Sequence, residues 1–417
     1  CMDVVYNHTG EAGLVDNDIN KARQFGFSLI DNQMYYKQKE GKYNSNSGCG
    51  NDMNVAQDEV MNLVADSVAF WAKQGVDAFR FDLAAGLMDT DKSEKTYYDG
   101  AKSLAGKLSQ MLKQRGIKVL EPNQKGEGIY LIAEPWTCGG NNSYQIGRFT
   151  REWAQWNDIA REAIKKDSTF PFTLTPRALR NVLEGSYDVL GGGDKSINYA
   201  YSHDGFNLVD GNSFKSAPDC WHYATDYNGD KNRQEKAMKK QIALTLLSKG
   251  TPMLQVGDVI GHSKNGEDNS YNRDDKTNYL DFSKAQDPNS REYRIREFTK
   301  RMIDFRKEHK ELRQGIYNKN IQYFKPDGSY AQAWDKWYWD NVSSNIICYK
   351  ITDGSDLFFS SSSDEHQIDV KLPQAQEGKS WYLVCDTSRE QSFIDHNEKI
   401  DYNYVQAPHS LLIFQQR

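Results

Sequence analysis

Three acidic residues stand at the ends of short apolar runs that are typical of β-strands. Asp82 follows AFRF, Glu134 follows LIA, and Asp204 lies in the stretch YSHDG. In a β/α barrel, catalytic carboxylates are carried where the parallel strands end and their loops begin. Two carboxylates that face one glycosidic bond, one ionised and one protonated, hydrolyse it with retention when they lie roughly 5–5.5 Å apart. The three residues are therefore candidate catalytic groups for glycoside hydrolysis.

The neighbouring residues predict different roles for the first two acids. Side chains two apart in a strand leave the same face, so we expect Arg80 to lie beside Asp82. A fixed guanidinium charge there lowers the pKa of the Asp82 carboxyl and keeps it ionised as a nucleophile. Glu134 stands between an apolar run and Trp136, so we expect burial to raise the pKa of its carboxyl, which suits a general acid.

Each candidate also has an ordinary structural explanation. A lone carboxylate at a strand end is more often a helix cap or a surface charge, and a histidine such as His8 or His203 is more often buried against backbone partners. Trp136, after a proline, is more often part of a core. The argument for catalysis therefore depends on the three acids together, with Asp204 beside His203 as the group that stabilises the positively charged sugar.

Four stretches of the chain resemble the ordered sequence regions of the α-amylase superfamily of glycoside hydrolases. They are DVVYNHT (3–9), FRFD (79–82), AEPW (133–136) and SHDG (202–205). Further stretches make the chain most similar to the isoamylase and glycogen-debranching branch of that superfamily, with pullulanase beside it. These are NSGCGNDMN (46–54), SYQIGRF (143–149), WAQWND (153–158) and LLSKGTPMLQVGD (246–258).

The resemblance implies the same catalytic roles for the three acids. It adds contacts to the sugar at the cleavage point, which it assigns to His8, Arg80, Trp136 and His203. The implied reaction is hydrolysis of α-1,6 branch linkages in glycogen, amylopectin or limit dextrins through a covalent glycosyl-enzyme on Asp82. The alternatives are a pullulanase, an α-1,4-acting amylase or glucan transferase, and a catalytically silent glucan-binding subunit. The resemblance implies no certain cofactor and leaves a structural calcium ion open.

Three features depart from the debranching pattern. Val259 in GDVIG stands where that branch usually has Glu, and EDNSYNRDD (267–275) is closer to the pullulanase version of this loop. The segment 210–232 is shorter and differently composed than the family leads us to expect. These departures leave the catalytic residues unchanged, but they leave open which branched glucan is preferred.

Alternating strand and helix patterns predict an α/β fold. We expect a (β/α)8 TIM-type barrel in residues 1–314, followed by an antiparallel β-sandwich domain in 315–417. The first run, CMDVVY, corresponds to the third barrel strand of the family. We therefore expect the first two strands to be missing from this chain and to be supplied by an amino-terminal part of the same protein.

Composition limits the partners. The chain has 417 residues, of which 38% are hydrophobic, and a formal net charge of −6, which argues against nucleic acid as the main partner. No apolar run approaches 18 residues, so we expect no membrane span. The six cysteines show no zinc-ligand spacing. The sequence does not determine the compartment; we favour the cytoplasm, with secretion left open because we expect the natural amino terminus to be missing from this chain.

Overall fold

The computed structural model describes residues 1–11, 26–93, 95–139, 143–170, 173–216, 221–313, 321–351 and 357–417. Its contacts divide the chain into two compact units. The first unit comprises Cys1–Trp156 and Val189–Ile197, and the second comprises Asn157–Asp188 and Asn198–Arg417. The predicted domain boundary at 314/315 falls outside the described residues and stays a prediction.

The described residues form strands throughout the chain and helices mainly between them. The strands are β1 (Met2–Val4), β2 (Gln38–Lys39), β3 (Lys42–Tyr43), β4 (Ala78–Phe81), β5 (Tyr130–Ala133), β6 (Trp153–Asn157), β7 (Ser196–Asn198), β8 (Thr251–Pro252), β9 (Ile321–Phe324), β10 (Ile346–Ile351), β11 (Leu357–Ser362), β12 (Ile368–Lys371), β13 (Trp381–Asp386), β14 (Phe393–Ile400), β15 (Asn403–Gln406) and β16 (Leu411–Gln416). The α-helices are α1 (Phe27–Tyr35), α2 (Asp58–Lys73), α3 (Leu104–Gln114), α4 (Asp158–Thr169), α5 (Pro176–Leu183), α6 (Tyr187–Leu190), α7 (Leu208–Gly211), α8 (Lys231–Leu247), α9 (Arg291–Glu308) and α10 (Lys336–Trp339).

A parallel sheet forms the centre of the first unit. β1 pairs with β4, β4 with β5, and β5 with β6, so that the spatial order follows the chain order. Parallel neighbours need a crossover connection, and α2 and α3 supply helices between these strands. The carboxyl ends of β4 and β5 therefore lie side by side, which is where Asp82 and Glu134 begin their loops.

The sequence of α2 explains its position against this sheet. Asp58 and Glu59 in its first turn and Lys73 in its last turn carry charges that favour the helix dipole. Its apolar residues recur on one face and are buried: Val60, Met61, Val64, Ala65, Val68 and Ala69. They join the fully buried strand residues Phe79, Phe81 and Leu131 in one hydrophobic core.

The second unit contains a six-stranded antiparallel sheet in the order β14-β13-β16-β11-β10-β9. Alternate residues of its strands enter different cores, because side chains in a strand alternate between faces. Leu357 and Phe359 contact the core that includes α8 and α9, whereas Phe358 belongs to a separate core with Trp381 and Phe414. β12 and β15 form a small second sheet.

Local sequence features and backbone hydrogen bonds position several elements of the second unit. The Thr175 side chain accepts a hydrogen bond from the Ala178 N–H and caps α5, with Pro176 in its first turn. The N–H of Met253, just after β8, donates to Asn198 O at the end of β7 (2.8 Å). The alternation of strands and helices and the carboxyl-terminal antiparallel sheet both occur as predicted. None of the described helices is long and apolar enough to cross a membrane.

Candidate active site

Asp82 is the first residue after β4, and both of its carboxylate oxygens have partners. The Asp82 N–H donates to Val4 O (2.9 Å), which fixes the backbone against β1. Arg80 Nη1 donates to Oδ1 (3.1 Å) and Asn7 Nδ2 donates to Oδ2 (3.0 Å). The Asp82 side chain remains 24% exposed. An oriented, partly accessible carboxylate has the geometry that a nucleophile needs.

Glu134 is the first residue after β5 and is buried. Its N–H donates to Phe81 O (3.1 Å), and its Oε2 accepts the N–H of Leu83 (2.7 Å). Leu83 has a left-handed backbone (φ 41°), which costs about 1–2 kcal/mol for a residue with a side chain. The burial matches the sequence-based expectation, but the surroundings are more polar than expected, because Oε2 also lies 2.8 Å from Arg80 Nη2.

Arg80 contacts both candidate catalytic carboxylates of the first unit, Asp82 and Glu134. Besides its hydrogen bond to Asp82 and its ion pair with Glu134, it donates to Asp3 Oδ1 (2.8 Å), and its guanidinium carbon lies 4.1 Å from the ring centroid of Trp156. Burial alone would lower the pKa of Arg80, but the nearby charges of Glu134, Asp3 and Asp82 outweigh it and raise the pKa. Arg80 is therefore a permanent cation between the two candidate catalytic acids.

His8 lies in the same cluster. Its Nδ1 is 2.5 Å from Asn7 Oδ1, and Asn7 in turn holds Asp82. Burial lowers the pKa of His8, and the negative charges of Asp82 and Asp52 oppose that shift only in part. Neutral His8 can offer its ring as a hydrogen-bonding partner for a sugar hydroxyl. Trp136, two residues beyond Glu134, is half-buried.

Asp204 and His203 lie in the second unit, on the loop that follows β7. Both side chains are more than half exposed, and His203 Nε2 lies 3.4 Å from Asp204 Oδ1. Their loop is held from its carbonyl side by Lys264, whose Nζ donates to Gly205 O (2.8 Å) and to His203 O (3.4 Å). The Gly205 N–H donates to Asp268 O (2.8 Å).

Lys264 is a buried cation. Burial lowers its pKa, and the carboxylates of Asp210, Asp204 and Asp268 oppose that shift. Its backbone N–H donates to Asp210 Oδ2 (2.8 Å), so Lys264 holds the Asp204 loop through its side chain and α7 through its main chain.

The structure thus brings together Asp82, Glu134, Arg80 and His8 in the first unit and places His203 beside Asp204 in the second. Sequence reasoning missed the residues that position these groups, namely Asp3, Asn7, Lys264 and Asp268. Asn7 had a signal in the stretch YNHT, where it precedes His8. Within the described ranges, no three His, Cys, Asp or Glu side chains are grouped so that they could hold a metal ion.

Comparisons with known proteins relate the chain to proteins named isoamylases and glycogen debranching enzymes. It is 34% identical over 428 residues to an isoamylase of Flavobacterium sp. and 30% identical over 429 residues to an isoamylase of Pseudomonas amyloderamosa, with 93% of the chain covered in both matches. It is 26% identical over 404 residues to a glycogen debranching enzyme of Escherichia fergusonii. The chain spans about half the length of these relatives (53%, 54% and 56%). No family model matches the chain.

Among solved structures, the chain resembles the pullulanase from Bacillus acidopullulyticus with a TM-score of 0.74 and 24% identity, covering 100% of this chain and 46% of that one. A type I pullulanase from Bacillus subtilis, solved with maltose, gives a TM-score of 0.71 and 20% identity, with 99% of this chain and 53% of that one covered. These similarities confirm the predicted fold class. The chain is homologous to isoamylases and glycogen debranching enzymes, as its motifs predicted.

Proposed function

We propose that the natural protein containing this chain is a retaining glycoside hydrolase that cleaves α-1,6 branch linkages of glycogen- or amylopectin-type glucans. The observation that carries the proposal is the contact of one buried guanidinium, that of Arg80, with both Asp82 and Glu134. One guanidinium reaches two carboxylates only when they are close neighbours. Such proximity fits the separation of roughly 5–5.5 Å that a double displacement requires.

The proposed reaction has two steps. In the first, an Asp82 oxygen attacks the anomeric carbon of the branch glucose, while Glu134 donates a proton to the departing O6 of the main chain. In the second, Glu134 takes a proton from water, and this water attacks the anomeric carbon and releases Asp82. Two inversions leave the product in the α configuration. Asp204 would stabilise the positive charge that develops on the sugar in both steps.

The relatives support the linkage. The proteins that match most of this chain are named isoamylases and glycogen debranching enzymes, which is why we assign a branch point as the substrate. A silent glucan-binding subunit is less well supported, since Asp82, Glu134 and Asp204 are all present. Cleavage of pullulan is the second candidate, favoured by the loop EDNSYNRDD and by the similarity in fold to pullulanases.

Analysis of products on several substrates tests this proposal. A debranching enzyme releases linear chains from amylopectin and glycogen, deepens the iodine colour of amylopectin, and acts poorly on amylose. Release of maltotriose from pullulan would favour the second candidate. If the natural protein degraded amylose as fast as amylopectin, with maltose as a product, an α-1,4-acting amylase would replace the debranching assignment.

Two further proposals accompany this function. The first is a structural calcium ion, which would take no part in the reaction. Thermal unfolding with calcium and with a chelator would test for it. We keep the cytoplasm as the proposed location, which fractionation of the source cells would test.

A further inference from the structure

Trp221 lies against the loop that carries Asp204. It belongs to the segment 210–232, whose composition departs from the family pattern. Gly205, directly after Asp204, has a left-handed backbone (φ +77°), and a Cβ atom there would collide with the six-membered ring of Trp221 and come within 3.0 Å of His222. The indole therefore packs directly on the backbone of the candidate catalytic loop.

The ring of Trp221 is held in place from several sides. The guanidinium carbon of Arg161 and the ammonium of Lys165, both on α4, lie 5.0 Å and 5.4 Å from its centroid. Cations at this range are attracted to the indole face. The His222 ring contacts it at 4.3 Å between centroids. Even so, Trp221 is 38% exposed, so a substantial part of a fixed aromatic surface faces solvent beside Asp204.

Trp221 also ends a continuous row of rings, which we call the aromatic strip and which consists of Phe214, Phe206, His222 and Trp221. Neighbouring centroids along it are 6.2 Å, 4.6 Å and 4.3 Å apart. The two ends, Phe214 and Trp221, are exposed, whereas His222 between them is buried. The inner rings, Phe206 and His222, therefore pack against the exposed end rings and hold them in place.

We propose that Trp221 is a stacking platform for a glucosyl ring of the substrate, at a binding position next to Asp204. This inference rests on the proposed function, which supplies an α-glucan as the ligand. The faces of a glucose ring carry C–H groups that pack on an indole, while its hydroxyls project from the rim. The exposed carboxylate of Asp204 and the ring of His203 are polar partners for such hydroxyls, since their side chains are 58% and 52% exposed.

The preordered ring favours binding. Because Arg161, Lys165 and His222 already hold Trp221, little side-chain freedom is lost when a sugar stacks on it. An exposed tryptophan can also anchor a protein partner. Charge does not distinguish a glucan from a protein partner as the ligand of Trp221. The contact of Trp221 with the Asp204 loop favours the glucan, and the experiment below decides between them.

The test compares Trp221→Leu with Trp221→Phe in the natural protein. Both replacements keep an apolar side chain against Gly205, but only Phe keeps an aromatic face. Trp221→Leu should raise the dissociation constant for maltotetraose and the KM for amylopectin about tenfold, whereas Trp221→Phe should retain most of the affinity. The kcat should change little, because the ring stacks alike on ground state and transition state. Trp337→Leu, at a tryptophan that is 75% exposed on α10, is the matched control and should change neither value.

A second measurement needs no substitution. In the unmodified protein, maltotetraose should protect Trp221 from oxidation by N-bromosuccinimide, followed by peptide mass spectrometry, and should leave Trp337 unprotected. Wild-type KM and affinity in Trp221→Leu, or equal oxidation of Trp221 with and without sugar, would overturn the inference. If amylopectin is debranched normally in that case, the proposed function stands. If the wild-type protein binds and cleaves no α-glucan, the proposed function fails and the inference fails with it.

Discussion

Arg80 and Glu134 form a buried ion pair, in which Nη2 lies 2.8 Å from Oε2. The sequence spacing predicts Arg80 as the partner of Asp82, and that contact exists at 3.1 Å, but it is the longer of the two. Arg80 thus holds both candidate catalytic carboxylates rather than one. Its planar guanidinium suits this task, because its two terminal nitrogens can face separate carboxylates.

Replacing Arg80 should therefore affect stability and catalysis together. Arg80→Met leaves the Asp82 and Glu134 carboxyl groups without the cation that contacts both, and breaking a buried ion pair costs about 3–5 kcal/mol of unfolding free energy. Arg80→Lys keeps the charge but not the planar guanidinium, so we expect an intermediate loss of stability and of kcat. Urea unfolding and steady-state kinetics would measure both. A Lys variant equal to wild type in both respects would show that the planar guanidinium has no role.

Removing either carboxylate should abolish turnover while glucan binding persists. Asp82→Asn cannot form the glycosyl ester, and Glu134→Gln cannot transfer a proton, a contribution that is typically worth about 10²–10⁴-fold in rate. Asp77→Asn is the control, since Asp77 is exposed just before the opposite end of the same strand. The measurements are kcat on amylopectin and the dissociation constant for maltotetraose. Turnover at the wild-type level in either variant would remove that residue from its role.

The stereochemistry of the first product is a separate prediction. If Asp82 is the nucleophile, the reducing end released at the branch point is the α anomer, because two displacements occur at one carbon. Proton NMR during the first minutes of turnover distinguishes the anomers before they equilibrate. A β anomer as first product would contradict the double displacement and would make Asp82 a base instead.

The sequence predicts those parts of the fold that have local causes. The strands that precede Asp82 and Glu134 are short, mainly apolar runs, and the cap of α5 follows from Thr175 and Pro176 as adjacent residues. In contrast, β14 (Phe393–Ile400) carries mostly polar side chains, so no apolar alternation marks it. Its strand conformation depends on antiparallel pairing with β13, the strand directly before it, and not on an apolar pattern of its own.

The candidate site likewise contains residues that the local sequence predicts and residues that it does not. Asp82, Glu134 and Asp204 could be proposed as candidates because each ends a strand-like run within a recognisable motif. Lys264 could not be found in this way, since a lysine in a loop is ordinarily a solvated charge. Its burial under the Asp204 loop results from a contact across about sixty residues of sequence, as the bond to Gly205 O shows.

Asp258 should make the free energy of unfolding depend on pH. It is fully buried, and its Oδ1 accepts the Leu208 N–H (3.0 Å). Burial raises the pKa of Asp258 to about 7, although its bonds to backbone N–H groups and the charge of Lys264 act in the opposite direction. The folded protein therefore holds this proton more tightly than the unfolded chain. The resulting stability is fully present below the unfolded pKa near 4 and is lost as the pH rises through about 7.

Asp258→Asn should remove this pH dependence, because asparagine has a similar shape, accepts the same hydrogen bond and does not ionise. At roughly 1.4 kcal/mol per pKa unit, the variant should gain up to about 4 kcal/mol of unfolding free energy relative to the parent between pH 4 and pH 7, after which the difference stays constant. Urea unfolding at intervals of pH measures this gain, with Glu365→Gln at an exposed position as the control for loss of a negative charge. A difference between Asp258→Asn and the parent that did not grow with pH would mean that Asp258 is ionised in the folded protein, with its burial offset by Lys264.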